Sequence, residues 1–288
     1  MRKLIIFSLV GFFAQLIDGS LGMAFGLTST TLLLAFGIAP AIASASIHMA
    51  EIATTAASGM AHYKFGNVDK KLALKIMVPG AAAAFLGAAF LSSLPGALIK
   101  PFISAFLLLM GLYIICKFLF RDTGSVSKKA KAYPGWFLVI LGAVGGFLDA
   151  VGGGGWGPVN TPVLLSRQGA VPRKVIGTVD TSECAVAIAA TLGFVLFLGW
   201  EQYNWMVVGA FVIGGIIAAP IAAWLVRILP AYLLGVAVGG FIIVTNSYTL
   251  LQAGGAGKEL ILIFYIVLLS AWGVAILTTL RKHQTSAA

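Results

Sequence analysis

Charge is what this chain has least of: 10% of its 288 residues are Asp, Glu, Lys or Arg, and only nine are acidic. With 60% hydrophobic residues and a mean hydropathy of +1.02, too little polar surface exists to cover a water-soluble globule. Cysteine is nearly absent. Cys116 and Cys184 stand alone in apolar stretches with no CxxC or CxxH spacing, which excludes a disulfide framework and a cysteine metal site. No Lys-Ser or Lys-Thr follows the glycine run at Gly152 to Gly157, so it does not read as a phosphate loop, and no cofactor is expected. The three histidines give no metal-ligand spacing, and no metal is expected either.

What is present is a series of apolar runs of about 20 residues, the length that crosses about 30 Å of hydrocarbon as a helix. The predicted segments are 3–36, 38–62, 72–94 and 97–120, then 135–166, 172–199, 204–228 and 231–252, and finally Leu260 to Leu280. The net charge of +10 sits in short clusters between these runs, where it sets orientation, and is not a nucleic-acid patch. Tyr113, Tyr133, Trp136, Trp200, Tyr203 and Trp205 near segment ends read as interfacial anchors, and His62 and His283 as solvated residues.

The chain is similar to itself. Asp18 to Thr30 (DGSLGMAFGLTST) aligns without gaps on Asp149 to Thr161 (DAVGGGGWGPVNT), with Asp, two glycines, an aromatic and Thr in register. Further along, Ser46 falls on Thr178, His48 on Asp180 and Glu51 on Glu183. The expected organisation is a first repeat at 1–120, a polar linker at 121–132, a second repeat at 133–252, and an unpaired transmembrane helix and tail at 258–288.

The first segment of each repeat is too long for one crossing and is cut by Asp and glycines, with pieces such as Leu4 to Ile17 shorter than a spanning helix, as in a re-entrant hairpin. If both are re-entrant, one side of the membrane collects Lys64, Lys70, Lys71, Lys75, the Lys117 to Lys131 group, Arg167, Arg173, Lys174, Arg227, Arg281 and Lys282. The other keeps Arg2, Lys3, Lys100 and Lys258. The expected fold is therefore all-α and integral to the membrane: two inverted repeats, each a glycine-broken re-entrant hairpin plus three transmembrane helices, and one extra C-terminal helix.

Two constellations bear on chemistry. Both broken segments resume after their glycines with hydroxyl or amide side chains. Helix N-termini facing a cavity hold anions through unpaired N–H groups and the dipole. The candidate substrate-binding residues are Ser20, Gly22, Gly26, Thr28, Ser29 and Thr30 in the first break, with Gly153, Gly157, Asn160 and Thr161 in the second. The plainer reading is close helix packing through small residues. Glu51 and Glu183 lie within apolar segments, with His48 and Asp180 one turn earlier on the same face, and are candidates for proton coupling. Their plainer role is bridging broken backbone. Asp18 and Asp149, at the breaks, read as holding the turns. No base and orienting acid accompany Cys184, so an enzyme using Cys184 or His48 is not expected.

Taken together, Phe13 to Gly26 (FAQLIDGSLGMAFG), Ala43 to Glu51 (ASASIHMAE), Phe65 to Asp69 (FGNVD) and the glycine run from Gly152 resemble the TauE/SafE sulfite exporter family over nearly the whole chain. The resemblance implies export of a small organosulfur anion, such as sulfite or sulfoacetate, across the bacterial inner membrane by a multi-pass protein coupled to protons. The absence of Lys and Arg near either break in the sequence suits an anion that must be released. The alternative is a cation or metal transporter or channel using the intramembrane acids. The oligomeric state stays open.

Overall fold

The computed structural model describes residues 2–120, 133–165, 170–225 and 231–285; the predicted linker at 121–132 lies outside them. Among the described residues every regular element is helical. The first half contains α1 (Arg2–Leu21), α2 (Phe25–Ala35), α3 (Pro40–Lys64), α4 (Lys70–Ser92) and α5 (Gly96–Phe120). The second contains α6 (Gly135–Gly152), α7 (Trp156–Leu165), α8 (Pro172–Phe197), a 3-10 turn at Trp200–Gln202, α9 (Trp205–Leu225) and α10 (Ala231–Ala253), followed by α11 (Lys258–Thr285).

Eight of these helices are long and apolar enough to span a membrane by length and composition: α1, α4, α5, α6, α8, α9, α10 and α11. The chain is a multi-pass membrane protein. Within α11 the most apolar stretch is not buried by the rest of the protein, and Leu260, Leu262, Ile263, Ile266 and Val267 are exposed along it. Such a surface suits contact with lipid. Two side chains pin α11 to α10: Tyr265 Oη donates to Val244 O at 2.6 Å and Trp272 Nε1 to Val236 O at 3.0 Å.

The helices cross-pack between the halves. α1 lies along α9, and α6 along α4; α3 packs on α9 and α8 on α4; α3 meets α8, and α5 meets α10. Exchanging α1–α5 with α6–α10 leaves this set of contacts unchanged. Glycines permit the close crossings: a Cβ on Gly146 would collide with the Gly80 carbonyl, and one on Gly11 would come within 2.8 Å of the Phe211 backbone. In lipid, where hydrophobicity does not drive helices together, such backbone approach supplies the packing. The exchange extends to single hydrogen bonds. Thr178 Oγ1 on α8 accepts from Asp69 N at 2.8 Å before α4, and Ser46 Oγ on α3 accepts from Asn204 N at 3.0 Å before α9.

Two expectations need correction. The first helix of each pair does not stop at its Asp: α1 runs through Asp18 to Leu21 and α6 through Asp149 to Gly152, so each reaches spanning length and the break is only about one turn later. The cause is the C-cap, because Gly22 (φ 67°) and Gly153 (φ 65°) take the left-handed conformation that glycine tolerates, and their N–H groups bond to the carbonyls of Asp18 and Asp149. Nor are His62 and Tyr203 at a wet interface. Both are buried, and Tyr203 Oη donates to Thr191 O at 3.1 Å. The side chain of His283 lies outside the described residues.

Candidate functional site

The two breaks meet at the centre of the fold. A Cβ on Gly26 would come within 2.5 Å of Gly154 Cα, and one on Gly157 within 2.5 Å of the Gly22 carbonyl, so only glycine allows the two turns to abut. Two reciprocal bonds tie them: Thr30 Oγ1 donates to Gly153 O at 2.6 Å, and Thr161 Oγ1 to Gly22 O at 2.5 Å. Thr30 and Thr161 occupy the same repeat position, and in this arrangement their hydroxyl protons lock one hairpin to the other.

The carboxylates at the breaks cap the following helices. Asp149 Oδ1 accepts from Gly155 N at 2.7 Å and Trp156 N at 2.9 Å, and Asp18 Oδ1 from Phe25 N at 3.3 Å. Part of each helix N-terminus is therefore already occupied by an internal carboxylate, satisfying donors that a helix end leaves open. Of the remaining residues singled out in the sequence, Ser20 Oγ donates back to Leu16 O at 2.6 Å within α1, and Asn160 Nδ2 to Trp156 O at 2.9 Å within α7. Three polar atoms stay buried without a hydrogen-bond partner: Thr28 Oγ1, Ser29 Oγ and Asn160 Oδ1. At membrane depth an unsatisfied polar atom costs several kcal/mol, of the order of the transfer of a hydroxyl into hydrocarbon, unless water or a ligand meets it.

A cation also reaches the first break, contrary to the expectation of none. Lys117 Nζ, from the end of α5, lies 4.0 Å from Met23 Sδ. The two positions are 94 residues apart, so no local pattern in the sequence joins them.

The ionisable residues form two clusters, and each takes members from both halves. In one, His48, Glu51 and Asp149 bring their side-chain ligand atoms within 4.8 Å of one another; in the other, Asp18, Asp180 and Glu183 do the same. All six are buried. His48 Nε2 lies 3.1 Å from Asp149 Oδ2 and 4.0 Å from Glu51 Oε2, while its Nδ1 lies 2.8 Å from Ser44 O. Both ring nitrogens face acceptors, an arrangement that the doubly protonated imidazolium satisfies. Ser44 Oγ in turn donates to Ala150 O at 2.6 Å, fixing α3 against the end of α6.

The second cluster has a histidine too, but it is committed elsewhere. His62 Nε2 lies 3.2 Å from Gly19 O and its Nδ1 3.2 Å from Asn67 Nδ2, a pairing that suits the neutral ring donating from Nε2 and accepting at Nδ1. Asp180 Oδ2 is 3.9 Å from His62, and neither Asp180 oxygen has a hydrogen-bond partner.

Asp18 and Asp149 thus belong to the ionisable clusters as well as to the turns. Reasoning from the sequence passed over Ser44, Ser58, His62 and Gln15, the last buried on α1 with its amide unpartnered. The available signal was a polar residue on the same helical face as an acid: Ser44 lies four residues before His48, and Gln15 three before Asp18. Cys184 has no acid–base partner among the described contacts; its Sγ sits 3.8 Å from Ile52 O.

A bundle of membrane-spanning helices with two short helix pairs abutting at its centre, and buried polar and ionisable groups around them, defines the class: a polytopic membrane transport protein. Residues 7–249 match the family described as "Sulfite exporter TauE/SafE", and the chain belongs to that family. It is 55% identical over 282 residues to the "Probable membrane transporter protein YtnM" of Bacillus subtilis (strain 168), covering 98% of this chain and 94% of that one. No solved structure matches the chain.

Proposed function

We propose that the protein is a secondary transporter that exports a small organosulfur anion, sulfite or a sulfonate such as sulfoacetate, with proton movement coupled through Glu51, Glu183, His48 and Asp180. The observation that carries this reading is the set of buried, unpartnered Thr28, Ser29 and Asn160 atoms beside the abutting breaks. Two of the three are hydroxyls able to donate to an oxyanion, and the ammonium of Lys117 lies on the same break. Thr30 and Thr161 hold the two hairpins together, so alternating access moves them as one body against the long helices. In this reading α1–α2 and α6–α7 enter and leave on one side, the remaining three helices of each half cross the membrane, and the halves are inverted; the exchangeable helix contacts support the repeat itself.

The test is thermal stabilisation of the detergent-purified protein by sulfite, sulfoacetate, taurine, sulfate and acetate, followed by flux of the responding anion in proteoliposomes. A ligand that binds only the folded state raises apparent stability. Sulfite or a sulfonate raises the melting temperature, and the Ser29→Ala and Thr28→Val pair abolishes the response. Glu51→Gln and Glu183→Gln each shift the pH profile of transport; an unchanged profile in both removes the coupling. The buried acids inside the bundle favour a second reading, carriage of a metal cation. Flux of a divalent cation without flux of any anion would establish that reading in place of the first.

A further inference from the structure

The two ionisable clusters occupy equivalent places in the two halves, yet they differ in kind. Around His48 an imidazole with both nitrogens facing acceptors stands between two carboxyl groups, and Asp149 also receives two backbone N–H groups. Around Asp180 there are three carboxyl groups and, among the described residues, no cation in the cluster, because His62 uses both nitrogens on Gly19 and Asn67. Three buried carboxylates whose oxygens approach a common point cannot stay ionised together without a positive charge.

A second observation points to a ligand there. Asp18 Oδ2 and both Asp180 oxygens are wholly buried and meet no N–H or hydroxyl donor in good geometry, the Asp18 and Asp180 carboxyls facing each other instead. Ser58, fully buried on α3, faces Asp180 and closes no hydrogen bond of good geometry. The cluster therefore offers four oxygen donors and no nitrogen or sulfur. That donor set suits hard cations, which take carboxylate and hydroxyl oxygen, and not the softer transition metals.

We propose that Asp18, Asp180 and Glu183, with Ser58 beside them, form a binding site for a hard metal cation, and that the His48–Glu51–Asp149 cluster, where the His48 ring occupies the place between the acids, does not. The titratable groups facing this site from the packed elements are His62 and Glu51 on α3 and Asp149 on α6. Protons compete with the metal for the carboxylate oxygens, so binding weakens as pH falls. The site does not depend on which solute the protein carries, and its test uses the metal alone, with no anion present.

The probe is terbium(III), which takes the same oxygen ligands, excited through tryptophan. Trp156 is placed to sensitise it, because its Nε1 donates at 3.0 Å to the carbonyl of Val179, next to Asp180. Wild-type protein gives saturable emission that Na⁺, Mg²⁺ or Ca²⁺ displaces, and the order of displacement identifies which of the three the site prefers. Asp180→Asn and Asp18→Asn each weaken terbium binding by about tenfold or more, the loss that follows from removing a metal ligand or its support, whereas Glu51→Gln, which removes a neighbouring acid but no ligand, has the smaller effect. Wild-type melting temperature supplies a reading that needs no variant: it rises with the preferred cation at neutral pH, and the rise shrinks at acidic pH. Absence of saturable emission, emission unaltered in Asp180→Asn, or equal loss in Glu51→Gln overturns the proposal. So does a protein stabilised by acid alone, with no response to any of the three cations.

Discussion

Asp149 is held from several sides, by two backbone N–H groups and by the His48 ring at 3.1 Å, whereas its repeat partner Asp18 accepts one N–H at 3.3 Å and faces two further acids. The same turn with the same aspartate sits in two opposite electrostatic settings. The difference traces to one position per half: His48 in α3 is matched by Asp180 in α8, and each projects to the break of the other half. A near-symmetric scaffold thereby carries one cluster with a histidine among its acids and one made of acids alone.

The sharpest way to break that contrast is at His48. Replacing it in His48→Leu strands Glu51 and Asp149 together in a dry interior and is expected to cost about 3–5 kcal/mol, as when one partner of a buried pair is removed. His62→Leu, which breaks only hydrogen bonds of a neutral ring, costs about 1–3 kcal/mol. Thermal unfolding of the purified protein compares the two, and equal losses would mean that His48 carries no charge. Adding Asp149→Asn to His48→Leu restores part of the loss.

The turns offer a smaller contrast. The second break places its positive-φ residues at Gly153 and Gly154, but the first places Ala24 at φ 118°, the one non-glycine residue with positive φ among the described residues. Ala24→Gly is expected to raise stability by about 1 kcal/mol, the relief of a strained backbone less the added freedom of the unfolded chain. Gly154→Ala is expected to lower it, since its Cβ would meet the backbone of Gly26 and Leu27.

Smallest are the two threonine locks. Thr30→Val and Thr161→Val each cost about 0.6 kcal/mol, the average for a hydrogen bond between membrane helices, measured again by unfolding. Because each hydroxyl bonds a carbonyl of the opposite hairpin, both variants alter transport in proteoliposomes to a similar extent; an effect confined to one would show that the hairpins move separately.

Much of the architecture was legible because it rests on local or repetitive patterns. Apolar runs predicted segments at 38–62, 72–94 and 97–120, and the helices occupy Pro40–Lys64, Lys70–Ser92 and Gly96–Phe120. Where the pattern misled, a single dihedral was responsible: glycine C-caps let α1 and α6 continue a turn past their aspartates. His62 looked terminal by position, yet the chain from Phe65 to Asp69 folds back over it, and Asn67 and Gly19 take its nitrogens.

The sequence alone determined that the chain lives in lipid, that two glycine-cut segments recur, and that rare acids stand inside apolar helices, because hydropathy and local backbone preference act over a few turns. Tertiary structure decided the partners. Asp149 meets His48 across 101 residues, Thr161 meets Gly22 across 139, and Lys117 reaches Met23 across 94. The first depends on how α3 packs against the other half, the second on glycines that let the two breaks touch, and the third on where the end of α5 lies against the first break.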